Sequence, residues 1–480
     1  VVVALSMMVI TFFAALAIDL GFLTLEKDSL QNKVEAAVES GVRVLHQDAS
    51  FPYSTAFSAC LDSLEANQET VTPETFSSHY QPGFYDYKDD YPDFEQHKNF
   101  VSEQSGEMPP GENPNAIAII GLMKNVETIE VKPSGSNTGR VTASAVAYGK
   151  NYTFLALDNA SDAVRWGGHY SANHFFAFRN CLIGSGGGII FHGDEAYDRT
   201  LIEAAGPVST YSGDPPPEYR EINSIHVPPI DWDKLRHDAQ MNGKVYNPQT
   251  WTSEWQSDEY GNFFRRVDLV VPGGWSGPGY TYIRYIFLPR GEDVDGIYST
   301  SGDHQGRTYY FDAPDPASIG ADRVILYFLN DDAPGVLPDL GPFKRRFWNC
   351  TLAAPCEMST YPFLSAVYGY GGHPIYFGNY ETYGNEGLVY MYCENFGRDS
   401  NYSCWYTAYG GSPIIAEPHG VVIRTNGKFR MRSQSSPPVA YYLKVLADTI
   451  EIGHPYFPGE TTTFVGGFGP SDVFQLGFLE

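Results

Sequence analysis

Residues 1–18 read VVVALSMMVITFFAALAI, and Asp19 is the first charged residue in the chain. Eighteen helical residues rise about 27 Å, close to the ~30 Å hydrocarbon core of a bilayer. Ser6 and Thr11 are the polar side chains in the run, and both can bond back to helix carbonyls. The run is long for the core of a signal peptide, and no small-residue cleavage site follows it. Its reading is a helix that lies in lipid or against other helices. The numbering opens inside the run, without a charged segment before it, which reads as a chain processed just before Val1.

Outward from Asp19 the pattern changes but the helix does not stop. Leu25, Leu30, Val34, Ala37, Val38, Gly41, Val42 and Leu45 fall mostly three or four apart and make one apolar stripe. Glu26, Lys27, Asp28, Lys33, Glu35, Glu39 and Arg43 fall mostly elsewhere. The expectation is one helix over 1–48, apolar all round at first and amphipathic afterwards. Asp19 sits where the two regimes meet. It marks a membrane–water boundary, or it is a polar register point among packed helices that needs a cation such as Lys27 or Lys33 of a neighbour.

Residues 49–164 read as a small α/β region. Phe51 to Phe100 is aromatic and acidic and is broken by Pro52, Pro73, Pro82 and Pro92, with 86–93 (DYKDDYPD) as an exposed loop. Strands are expected at 116–120, 126–131 and 139–148, the last two joined by a turn over Pro133–Asn137.

Residues 165–480 read as a large β-rich, Gly- and Tyr-rich outer region. Strands are expected at 188–192, 266–271, 280–287, 323–328 and 421–424, and one short helix at 232–239 after Pro228-Pro229-Ile230-Asp231. The stretch 186–213 (GGGIIFHGDEAYDRTLIEAAGPVSTYSG) reads like Gly-punctuated coils, yet no exact period is present. The fold class expected is α+β: a long N-terminal helix followed by a β-sandwich or an irregular β-solenoid. A Tyr cluster over 361–411, including Tyr390 and Tyr392, suits strand packing or an amphipathic binding surface.

Aromatic residues make up 15% of the chain and charged residues only 18%, as in a folded β-rich protein. The net charge of −26 argues against nucleic acid and anionic lipid as partners, since both need a basic surface. The six cysteines (Cys60, Cys181, Cys350, Cys356, Cys393 and Cys404) contain no CxxC pair, so a zinc ribbon is not expected. An even count fits an oxidising compartment, with Cys350/Cys356, Cys393/Cys404 and Cys60/Cys181 as possible disulfides and free buried thiols as the alternative.

The motifs of common chemistries are missing. There is no HExxH, no Walker loop and no dinucleotide-binding glycine pattern, and Gly274-Trp275-Ser276-Gly277-Pro278 fails as a nucleophile elbow at its last position. Acidic turns at Asp293/Asp295, Asp331/Asp332 and Asp89/Asp90/Asp93 could take Ca²⁺ but lack EF-hand spacing. No catalytic residue, metal site or required cofactor is expected.

Ala14-Ala15-Leu16-Ala17-Ile18-Asp19-Leu20-Gly21, then Leu30-Gln31-Asn32 and Ala36-Ala37, resembles the N-terminal region of TadE/TadG-like proteins, pilin-like components of tight-adherence (Flp-type) pilus systems. The likeness covers about 45 residues. It departs at Lys33-Val34-Glu35, where that family has small residues, and Leu5 stands where most type IV pilins carry Glu. The metal-site motif of the von Willebrand-type domain in many TadG proteins is absent.

The resemblance implies a non-enzymatic filament subunit. Its partners would be copies of itself and a pilus assembly machinery, and it would reach an extracellular filament or the cell surface by way of the cytoplasmic membrane. Val1, Leu5, Val9, Phe12, Phe13, Leu16 and Leu20 are the expected filament-core residues, with Asp19 as the polar register. The alternative is a single-pass anchored surface protein or adhesin whose β-rich part binds carbohydrate or a partner.

Overall fold

The computed structural model describes residues 2–46, 53–85, 100–106, 114–127, 138–166, 175–193, 195–223, 225, 227–259, 262–271, 280–288, 306–321, 323–328, 346–347, 350–359, 376–377, 389–397, 419–432, 440–453, 461–466, 471 and 473–477. The chain is an α+β protein: a long N-terminal helix followed by a strand-rich region. It divides into unit 1 (1–151 and 470–480) and unit 2 (152–469). The boundary is thus at 151/152, not 164/165, and the C-terminus returns to unit 1.

Unit 1 begins with α1 (Val2–Leu45), followed by α2 (Tyr53–Ala66) and the short α3 (Pro73–Ser77). Strands β1 (Tyr80–Tyr85), β2 (Phe100–Ser102), β3 (Ala116–Glu127) and β4 (Thr138–Lys150) join the C-terminal strand Val473–Gly477 in one antiparallel sheet, in the order β2-β1-β3-β4-C-terminal strand. Leu30, Val34, Ala37, Val38, Val42 and Leu45 of α1 pack with Ala56, Cys60 and Leu64 of α2 over Ile117, Ile119, Val141 and Ala145 of the sheet. The spacing of the apolar residues decides this geometry, since every buried residue of α1 here belongs to its i, i+3, i+4 stripe. Gly41 is part of it: a Cβ there would lie 2.2 Å from Cys60 Sγ, so the two helices meet where one has no side chain.

Unit 2 is built from parallel ladders. From Tyr152 the chain winds through β5 (Phe154–Ala156), β6 (Val164–Trp166) and β7 (Phe175–Arg179), then β8 (Leu182–Ser185), β9 (Ile189–Phe191) and β10 (Ala196–Asp198). It continues through β11 (Leu201–Ala204), β12 (Val208–Thr210) and β13 (Arg220–Glu221). Each strand lies parallel on its counterpart one turn earlier: β8 on β5, β9 on β6, β10 on β7, β11 on β8 and β12 on β9. The corner Gly186-Gly187-Gly188 permits the stacking, because a Cβ on Gly187 would meet Ala160 O at 2.1 Å.

A helix α4 (Trp232–Met241) precedes the second run, β14 (Gly243–Tyr246), β15 (Gln256–Ser257), β16 (Phe263–Val271), β17 (Tyr280–Leu288), β18 (Arg307–Phe311) and β19 (Arg323–Phe328). Then come β20 (Arg346–Phe347), β21 (Cys350–Ser359), β22 (Tyr376–Phe377), β23 (Val389–Gly397), β24 (His419–Thr425), β25 (Lys428–Arg432), β26 (Ala440–Ala447), β27 (Thr449–Gly453) and β28 (Thr461–Val465). Among the described pairings of unit 2, antiparallel geometry is confined to β15-β16-β17. The second run ends against the start of the first, through β26–β5, β27–β6 and β28–β7. Inward-facing residues of both runs form one core that includes Trp166, Phe178, Phe464, Ile423, Val445, Leu352 and Phe311.

Candidate assembly surface and buried polar groups

The two halves of α1 differ in what they face. From Leu30 onward the apolar stripe is buried in the core of unit 1. Before that, Met7, Val9, Ile10, Phe12, Phe13, Ile18, Leu20, Phe22 and Leu25 are exposed, with Ile10 and Leu25 at 68% and Phe13 at 61%. At 100° per residue these side chains cover roughly two-thirds of the helix circumference. Their exposed area is on the order of 1,000 Å², above the few hundred usual for an apolar patch on a monomer. Among the described residues α1 is the one helix long and apolar enough to cross a membrane. Thr11 and Thr24 donate to Met7 O and Leu20 O, both at 2.8 Å, so neither hydroxyl breaks the apolar surface.

The expected core residues fall on this surface unevenly. Val9, Phe12, Phe13 and Leu20 are exposed, Leu16 is half-buried, the side chain of Leu5 and all of Val1 lie outside the described residues, and Leu25, read as part of the buried stripe, is exposed instead. Asp19 is 4% exposed and lies on a narrower covered strip with Ala15, Leu16, Leu23 and Glu26. It is therefore a buried side chain in an otherwise apolar stretch.

Where the exposed half meets the buried half, four charges fasten the helix. Lys124 Nζ of β3 lies 3.3 Å from Glu26 Oε2 and 3.0 Å from Glu69 Oε2, and Lys33 Nζ lies 3.1 Å from the same Glu69 oxygen. Burial works against the Lys124 charge, but the two carboxylates outweigh it and hold its pKa above the ordinary lysine value. Glu26 and Lys33 were legible as charges off the stripe; Glu69 and Lys124 were not, because only the fold brings residues 55 positions apart together.

Among the described residues no disulfide is formed: Cys60, Cys181, Cys350, Cys356 and Cys393 are buried cysteines outside any disulfide, and Cys404 lies outside the described residues. Cys350 and Cys356 share strand β21, so six residues of extended chain put their Cα atoms about 20 Å apart, far beyond the ~7 Å a disulfide spans. Cys60 and Cys181 belong to the cores of different units. Burial pushes the Cys60 thiol up to about 12 and raises Cys356 and Cys393 as well, which keeps them protonated and unreactive.

Two polar groups inside unit 2 are built as structural pairs. Tyr152 Oη donates to the fully buried Glu203 at 2.6 Å, with Arg220 at 3.8 Å from the same carboxylate. Asn262 Nδ2 donates to Tyr246 Oη and to Asp258 Oδ2, both at 3.0 Å, at the edge of an aromatic cluster of Trp251, Phe264 and Phe311. No group of three or more His, Cys, Asp or Glu side chains converges among the described residues. The acidic turns weighed for Ca²⁺ and most of the Tyr cluster lie outside the described residues; Tyr390 and Tyr392 are on β23. No protein-family model, curated protein or solved structure matches the chain.

Proposed function

We propose that this chain is a non-enzymatic, pilin-like structural subunit of an extracellular filament, held in a membrane by α1 before assembly and packed through α1 against copies of itself afterwards. The observation that carries the reading is the change of regime within one helix: its second half is locked in a folded core while its first half presents an apolar surface that no described residue covers. At ~25 cal/mol per Å², covering that surface is worth on the order of 20 kcal/mol, above most estimates of what association costs. Lipid satisfies the surface as well, which suits a precursor stored in a bilayer.

We read the parallel ladders of unit 2 as an irregular β-solenoid, since sandwiches pair antiparallel neighbours. Its two ends support assembly through α1 in preference to strand addition. The turn before β13 carries Pro215, Pro216 and Pro217, which lack N–H donors, and the β14 end is plugged by the Trp251–Phe311 aromatic cluster. The net charge of −26 adds repulsion between subunits wherever α1 is not in contact. The likeness of residues 14–37 to tight-adherence pilin-like proteins points the same way.

Removal of detergent from the purified full chain, imaged in negative stain with an antibody to unit 2, tests the proposal. Decorated fibres are expected from the full chain and dispersed particles from a variant lacking residues 1–24. A full chain that enters liposomes, stays monomeric and never forms fibres is a single-pass anchored surface protein, and that result ends the filament reading.

A further inference from the structure

Unit 1 limits how far along α1 a membrane can reach. A Cβ on Gly41 would lie 3.1 Å from Ile117 Cδ1, and Lys124 Nζ lies 3.3 Å from Glu26 Oε2. From Gly41 back to Glu26 the helix travels about 22 Å, and from Ile117 on to Lys124 the strand travels about 23 Å. Strand β3 and α1 therefore run side by side in opposite chain directions, level for level. Beyond Lys124, β3 continues to Glu127, which stands opposite Thr138 of β4. That is about 10 Å further, the level of residues 19–20 of α1. Leu23 packs on the cluster that holds Val126 and Val141 of this two-stranded ribbon, so the ribbon flanks the helix well past Glu26.

The ribbon does not suit hydrocarbon. Asn125 and Arg140, opposite each other near its end, are exposed, and an arginine in a bilayer core is costly. Among the described pairings the C-terminal strand lies beside β4 only from Val146 to Lys150, so from Thr138 to Ala143 the outer edge has no strand next to it, which lipid does not tolerate. The bilayer core therefore ends near Ile18. The part of α1 before Asp19 rises about 27 Å and nearly fills a ~30 Å core by itself. Leu20, Phe22 and Leu25, at 57%, 48% and 68% exposure, are left outside it, where lipid tails do not cover them.

One face of α1 has the spacing to take a second helix there. Met7, Thr11, Ala14, Ile18, Gly21 and Leu25 are all exposed and follow one another at alternating steps of four and three, as in a coiled-coil seam. The seam is turned away from the strip that holds Asp19 and Leu23. Gly21 has nothing within 4 Å of where a Cβ would stand, and with Thr11 and Ala14 it lets a second backbone come close. Bordered by Ile10 and Phe22, the seam exposes on the order of 600 Å² per copy, and a pair would bury about 1,200 Å², the lower end of specific interfaces.

The membrane decides the occupant. Copies in one bilayer share orientation and depth, so Ile18, Gly21 and Leu25 of one can meet the same residues of another across a two-fold axis along the membrane normal. Asp28 is the next step of the seam and is exposed; two such charges face to face repel, and the contact ends there. We infer that the chain pairs in the membrane with a second, parallel copy of itself through the seam from Met7 to Leu25, whose Ile18–Leu25 end stands outside the hydrocarbon. The pair does not rest on the filament reading: an anchored surface protein would form it as well.

Cysteine cross-linking of the full chain in phosphatidylcholine liposomes, at high lipid excess, tests the pair. Ile18→Cys, Leu20→Cys and Leu25→Cys are made singly, oxidised with copper–phenanthroline and resolved without reductant. Ile18→Cys and Leu25→Cys are expected to give at least fivefold more linked dimer than Leu20→Cys, which lies at the same level but off the seam. Adding Gly21→Leu to Leu25→Cys is expected to lower linking to the Leu20→Cys level while the protein still floats with the liposomes. In that unpaired Gly21→Leu background an impermeant maleimide is expected to label Leu25→Cys and not Ala14→Cys. Equal linking at Leu20→Cys and Leu25→Cys, or linking that survives Gly21→Leu, overturns the pair, and a Leu25→Cys that the maleimide cannot reach overturns the bilayer boundary. Linked pairs in liposomes with no fibres on detergent removal end the filament reading and keep the pair; fibres without linked pairs do the opposite.

Discussion

Lys124 joins two parts of unit 1 that the chain keeps far apart, α1 through Glu26 and the segment after α2 through Glu69. Lys124→Met is expected to cost about 1 kcal/mol, since a network of partly exposed pairs is worth more than a lone surface pair. A thermal melt checks it: the deficit shrinks in high salt, where screening has already weakened the natural network. The raised lysine pKa gives this contribution a pH sign: it is full below the ordinary lysine value and is lost as pH rises through the higher folded one.

Gly41 is a second fastening. An added methyl there gains helix propensity but meets Cys60 Sγ at 2.2 Å and Ile117 Cδ1 at 3.1 Å, so Gly41→Ala is expected to destabilise by about 1–3 kcal/mol. Cys60→Ala in the same chain relieves the nearer clash, and a double-mutant cycle is expected to give a coupling of at least about 1 kcal/mol. Cys60 also titrates late: unfolded thiols ionise near pH 8.5–9 and the folded one near 12, so its stabilisation is full below pH 8 and falls as pH rises toward 12. Alkylation of the natural chain at pH 8 is expected to leave Cys60 unmodified until denaturant is added.

At the scale of elements, α1 is two surfaces on one rod. Phe13→Ser with Leu20→Ser removes exposed side chains, so the melt of unit 1 is expected to stay within about 0.5 kcal/mol of the natural chain while sedimentation shows self-association lost. Leu45→Ala, in the buried half, is expected to do the reverse, costing about 2–5 kcal/mol and sparing association wherever the chain still folds. The helix was legible because apolar runs and a 3.6-residue stripe are local signals. The limit of the stripe was not: Leu25 lies five residues before Leu30 and so turns off the buried face, where Leu23 packs against the core instead. Helix α2 escaped notice among prolines and aromatics, although Ala56, Cys60 and Leu64 recur every four residues and are all buried. Strand β3 runs unbroken from Ala116 to Glu127 where two strands were expected, because Gly121 at φ +66° absorbs a register shift as a bulge. The helix at 232–239 was readable from Asp231 and the prolines before it, but its role in spanning four strands depends on which strands are neighbours, and that is not a local property.

At the scale of the molecule, the coil order explains why unit 2 resisted a reading by repeats. Its two runs occupy the stack in reversed sequence order, and their turns differ in length, so no period marks the neighbours. The connectivity also means that unit 2 is an insertion between two adjacent strands of unit 1: Lys150 closes β4 directly opposite Val473 of the C-terminal strand. That closing pair gives the strongest test of how labour is divided. Joining Lys150 to Val473 by Asn-Gly replaces unit 2 with a two-residue hairpin turn. Every strand pairing of the unit 1 sheet and all of its α1–α2 core survive this excision, so the shortened chain is expected to keep its helical and antiparallel signals in circular dichroism and to melt in one cooperative step. Because the exposed face of α1 is untouched, the short chain is expected to form thinner fibres when detergent is removed. A short chain that folds and melts as expected but remains monomeric would place the contacts of assembly in unit 2, and α1 would then be a membrane anchor alone.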